Sequence, residues 1–155
     1  MVDRQGPIAS EFVGRVYDGV WEVDLVRRLR EVDESDAMAF IVDLLKEGHR
    51  NRVVGVVDLS MDLAKKVLRR RESMEEVACA GLPLVDASSV FALLKSVVPR
   101  IGFGRTLRVI EKVNVSAPDT MSKAAYWLPS FARTEAEKRA LAQCLARAER
   151  SGRSG

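Results

Sequence analysis

The chain is short of most residues that carry chemistry. It has one histidine (His49) and two cysteines (Cys79 and Cys144) among 155 residues, and only 6% aromatics. One imidazole and two distant thiols cannot make an ordinary zinc set. A nucleophile–base pair would require His49 beside one of the cysteines. Both cysteines sit in apolar helical stripes and read as small core residues, and His49 follows Gly48 at an expected helix end. There is no Walker loop and no Gly-x-Gly-x-x-Gly. Asp33, Glu34 and Asp36 lack the glycine and final glutamate of a calcium loop. Asp58 and Asp62 lack the Glu-x-x-His partner of a di-iron bundle. Catalytic residues, a metal and a cofactor are therefore not expected. The scarcity of aromatics also argues against a β-sandwich or a base-stacking surface.

Long apolar runs are missing too, so no membrane span is expected. The opening MVDRQGPIASEF carries charges and no apolar core, so no export signal is expected either. Reduced thiols and a cytoplasmic location follow from that reading.

What is present is helical periodicity. Residues 1–9 are expected to be flexible, 10–150 to form one helical domain, and 151–155 to be a tail. Ser10 can cap a stripe of Phe12, Val13, Val16, Tyr17 and Val20, and a second stripe runs from Trp21 to Val32. Met38, Phe40, Ile41, Leu44 and Leu45 form the next, with Gly48 as its expected stop. Asn51 can cap a long, centrally buried segment reaching Leu68. Ser73 with Glu76 has capping-box spacing, as has Thr134 with Glu137. Asp86 or Ser88 opens a helix that closes near Pro99 and Gly102. Leu107–Val113 makes another, Ser116 can cap the one after, and Pro129 should kink or stop it. Trp127 reads as a packing residue.

First members of successive helix pairs begin near residues 20, 52, 87 and 118, a spacing of about 31–35 residues, near the period of stacked helical hairpins. The expected fold is all-α: about seven or eight helices in stacked antiparallel hairpins, a short α-solenoid or bundle. The alternative is a small α/β domain, in which Arg52–Asp58 and Leu107–Val115 are strands. Short valine-rich runs do not separate strand from helix.

Charge is graded along the chain. Residues 1–50 carry a balance of −4, residues 51–100 of +2 and residues 101–155 of +5, for a total of +3. The acidic segment Glu31, Asp33, Glu34 and Asp36, with Trp21, Glu22 and Asp24 before it, is the candidate docking patch for a basic protein partner. Its plainer reading is helix-start charge and a solvated turn. Lys65, Lys66, Arg69, Arg70 and Arg71 are the alternative, a phosphate contact for nucleic acid. Their plainer reading is a set of cations at a helix C-terminus, with Lys65 and Arg69 on one face and Lys66 and Arg70 on another. Gly102–Arg105 reads as an inter-helix turn, with an anion site at the helix start as the sharper reading.

From about residue 20 to 150 the chain resembles small HEAT-like or armadillo-like helical proteins. Among these, it resembles the compact helical immunity proteins that neutralise bacterial toxins. The boundaries Asp33–Asp36, Asn51, Ser73, Pro83, Pro99, Pro118 and Thr134, and the kinking Pro129, carry the likeness. The resemblance implies a non-enzymatic binding module that occludes a partner protein by surface complementarity, with a basic toxin domain as the most concrete partner. A nucleic-acid-associated regulator is the alternative.

Overall fold

A computed structural model of the chain describes residues 19–52 and 55–153, with side chains over 23–52 and 55–151. The expected Ser10-capped helix, the N-terminal segment and Val53–Val54 lie outside the described residues. The helices are α1 (Gly19–Glu31), α2 (Glu34–Arg50), α3 (Val56–Val67), α4 (Arg71–Gly81), α5 (Val90–Ile101), α6 (Phe103–Ser116), α7 (Thr120–Ala125) and α8 (Glu135–Arg153), with a 3-10 turn at Leu128–Ser130. There is no strand among the described residues. Leu107–Val115 lies inside α6, and Val56 and Val57 open α3. The α/β alternative falls for these residues, and the all-α reading stands.

The helices form two layers. In one, α1 packs on α3, α3 on α5 and α5 on α7; in the other, α2 packs on α4, α4 on α6 and α6 on α8. The longer central helices bury one face at helical spacing, as Ala37, Phe40, Ile41, Leu44, Leu45 and Gly48 do on α2. The central helix α3 is buried on most sides through Val56, Leu59, Ser60, Met61, Leu63, Ala64 and Val67, because α1, α2 and α5 all cover it.

Side-chain bonds report helix direction. Arg30 at the end of α1 reaches the end of α3, and Arg100 at the end of α5 does the same from the other side. Glu34 at the start of α2 reaches the start of α4. Helices within a layer are therefore parallel, and consecutive helices run in opposite senses. The turns at 32–33, 68–70 and 102 share one edge, and the ends of α2, α4 and α6, with the links at 82–89 and 117–119, share the other. The best-packed consecutive pairs are α2–α3, α4–α5 and α6–α7, one helix out of step with the expected hairpins.

Several helix ends differ from the sequence expectation, and the starts of α4 and α7 take their caps from other helices, through Glu34 and Asn114. Gly48 does not stop α2; it lies inside that helix, where Val56 packs against its bare Cα. Asn51 ends α2 instead of starting α3, donating from Nδ2 to the Glu47 carbonyl at 2.8 Å. The interior rod therefore begins at Val56, after Gly55 in the left-handed region (φ 85°). Ser73 lies within the first turn of α4, not at its cap. Ser116 ends α6, and Asn114 Oδ1 accepts from the Met121 amide of α7 at 2.9 Å. α8 continues to Arg153, into the segment expected as a tail. Gly102 (φ 93°) joins α5 to α6 alone, in backbone that favours glycine.

Two caps are local, as expected. Asp86 Oδ1 accepts from the Ser89 amide at 2.9 Å before α5. Thr134 and Glu137 form a reciprocal capping box: the Glu137 amide donates to Thr134 Oγ1 at 3.1 Å, and Glu137 Oε1 accepts from the Thr134 amide at 3.1 Å. Thr134→Ala should lower stability by about 1 kcal/mol. Denaturant unfolding checks this; an unchanged midpoint would mean that α8 is held by packing alone.

Candidate interaction surfaces

The turn edge brings the acidic segment and the basic run together, which the sequence treated as separate candidates. Asp24 and Glu31 both pair with Arg27 along α1, the latter at 3.8 Å. Asp33 precedes α2 with its side chain exposed, and Asp36 is exposed in the first turn. The side chains of Trp21 and Glu22 lie outside the described residues, although both residues belong to α1.

Glu34 corrects its assignment as a partner-facing carboxylate. Its side chain is 13% exposed and turns toward α4. Oε1 accepts from the Arg69 amide at 2.6 Å, and Oε2 accepts from the Arg70 amide at 3.1 Å and the Ser73 hydroxyl at 2.7 Å. The Arg70 guanidinium lies 3.4 Å from Oε2. Burial alone would raise this acid's pKa, but the three donors and the guanidinium outweigh it and hold the carboxyl below its usual range. The reason lies in the sequence of α4, whose N-terminus follows Arg69-Arg70 and has no side-chain cap of its own. Cations are unfavourable at a helix N-terminus, and Glu34 supplies the missing anion from α2.

The basic run is not one helical face. α3 ends at Val67, and Leu68 is extended (φ −85°, ψ 128°), so the i, i+4 relation of Lys65 to Arg69 and of Lys66 to Arg70 is broken. Val67 and Leu68 are buried as the pattern expects. Lys65, Arg69 and Arg71 are exposed, and Lys66 Nζ lies 3.1 Å from Asp62. Arg105 is committed to Glu75 at 2.8 Å, so the Gly102–Arg105 turn is tied to α4.

The reactive residues stay apart. His49 lines a cavity of about 720 Å3 at the link edge, with Arg52, Asp58 and Asp86. Cys79 lies in a groove with Met38 and Val42. Cys144 lies in another groove, with Glu111 and Arg147. The Cys144 thiol is fully buried. Burial first, then the hydrogen bond to Glu111 and the nearness of that carboxylate, push its pKa up to about 12. It is a protonated thiol at neutral pH, not a nucleophile.

The feature that sequence reasoning missed is aromatic. Phe91 on α5 lies with its ring centroid 5.0 Å from Trp127 and 5.7 Å from Phe131, and Tyr126 meets Trp127 edge-on at 4.8 Å. Tyr126 is 77% exposed and Phe91 37%. Trp127 Nε1 donates to the Ala87 carbonyl at 2.8 Å, which fixes the indole against the 82–89 link. Tyr126 and Trp127 are adjacent in sequence; the α5–α7 packing is what adds Phe91 to them.

Compared with known proteins, the chain matches no family model, no curated sequence and no solved structure.

Proposed function

We propose that this chain is a non-enzymatic protein-binding module that occludes a partner, with an inhibitor or immunity role as its most concrete form. The observation that supports the reading is the aromatic cluster in which exposed Tyr126 and Phe91 rest on half-buried Trp127 and Phe131. Tyrosine and tryptophan dominate the energetic centres of protein interfaces, because they bury large area for few frozen torsions. Here the rings brace one another and the indole N–H already has its acceptor. Covering the cluster therefore leaves no orphaned indole donor. The acidic segment serves this role less well, since Asp24, Glu31 and Glu34 are engaged within the chain.

The test is affinity capture from the native host with the wild-type chain and with Tyr126→Ala and Phe91→Ala. A protein partner should be retained by the wild type, and its affinity should fall about 30-fold for Tyr126→Ala, a hot-spot loss of about 2 kcal/mol. Recovery of nucleic acid alone, or equal retention by all three chains, would refute the reading. A toxin gene beside this one would favour the immunity form.

A further inference from the structure

Arginine grips the last turn of α3 from both sides. Arg30, at the end of α1, donates from Nε and Nη2 to the Lys66 carbonyl at 3.3 and 3.1 Å. Arg100, at the end of α5, donates from Nη2 to the Lys65 carbonyl at 2.9 Å and from Nη1 to the Leu68 carbonyl. Carbonyl dipoles orient these guanidiniums but leave their charges uncompensated. No carboxylate lies within ion-pair distance of either among the described residues. The exposed side chains of Lys65, Arg69 and Arg71 likewise form no ion pair there. The neighbouring carboxylates are Asp62 and Glu34, paired with Lys66 and Arg70, Glu31, which lies 3.8 Å from Arg27, and the exposed Asp33, Asp36 and Glu72.

The geometry points to a second binding surface on this edge, one that takes the phosphodiester backbone of a nucleic acid. Neighbouring helices in a layer stand about 8–10 Å apart. Arg30 and Arg100 both donate to the last turn of α3, so their guanidiniums stand on the order of 10 Å apart with Lys65 in the same turn, and Arg69 and Arg71 follow in the adjoining link and at the start of α4. A compact cluster of cations suits a polyanion of high charge density, and a duplex offers a phosphate charge about every 1.7 Å of axis. Guanidiniums suit phosphate oxygens, and those of Arg30 and Arg100 are already oriented. The edge offers nothing to read bases, so binding is sequence-independent. The exposed large apolar side chains among the described residues are Val23, Phe91, Val115 and Tyr126, none of them in the 65–71 segment or the last turn of α5. A membrane surface would call for apolar insertion beside the cations. This surface is distinct from the aromatic cluster, so the two fail independently.

The experiment is fluorescence anisotropy of the full chain with about 20-base-pair RNA and DNA duplexes over roughly 50–200 mM salt. Affinity should fall by roughly 10²–10³-fold across that range, as about five phosphate contacts require. Lys65→Ala/Arg69→Ala/Arg71→Ala should weaken binding at least tenfold at the lowest salt and reduce the salt slope by about 3. Lys112→Ala/Arg133→Ala/Arg139→Ala removes the same charge elsewhere and should leave the affinity within about twofold. Either duplex satisfies the inference, and the tighter one names the source of the backbone. No binding at the lowest salt, equal losses in the two triple variants, or association with anionic vesicles but with neither duplex would overturn it.

Discussion

Gly48→Ala should destabilise the protein by about 2–3 kcal/mol, although the same change inside an exposed helix would gain about 1 kcal/mol. Gly48 lies in α2 with helical backbone, so conformation is not the obstacle. An added Cβ would stand 2.7 Å from Val56 Cβ and closer still to both of its methyl carbons. Val56 is 4% exposed and opens α3, and β-branching leaves it no easy rotamer in a helix. The two helices must part, and α2–α3 is among the best-packed pairs in the molecule. Chemical denaturation of Gly48→Ala, Val56→Ala and the double variant checks this. The double variant should be more stable than the sum of the single losses implies, by about 1–2 kcal/mol. Additive losses, or an unchanged Gly48→Ala midpoint, would mean that the helices do not cross this closely.

Glu34→Ala should cost about 2–3 kcal/mol near neutral pH, since it removes charge-assisted bonds from two backbone amides and a hydroxyl and leaves the start of α4 uncapped. The pH dependence has a definite sign. The folded pKa of Glu34 lies below its ordinary value of about 4.5. Its stabilisation is therefore complete above that value and is lost as pH falls through the folded pKa. The stability difference between the wild type and Glu34→Gln should be constant from about pH 6 to 8 and shrink below about 4.5. A difference that grew in acid would contradict the capping role. Because Glu34 links α2 to α4, the loss should appear in global unfolding and not only as fraying of α4.

Legibility differed by the range of the interaction. The all-α class, the stripes of α2, α5 and α6, the burial of α3 and the box at Thr134 all rest on residues three or four positions apart, and each was readable. A glycine near a helix end has two uses, and only the position of Val56 tells a stop from the close crossing at Gly48. Local spacing assigns helix starts to Ser73, Asn51 and Ser116, but Glu34, Gly55 and Asn114 hold those places. At the surface, Tyr126 and Trp127 were visible as neighbours, but Phe91 lies 35 positions earlier.

The sequence by itself determined that this is a helical chain with amphipathic segments of a given length, because backbone hydrogen bonding and apolar burial along one helix are local matters. Only the tertiary structure decided which charges are spent inside the molecule and which remain for a partner. An ion pair or a cap is a matter of a few ångströms between helices, and no spacing along the chain encodes which ends meet. Glu34 turned inward and Arg100 joined Arg30 at the end of α3 for that reason.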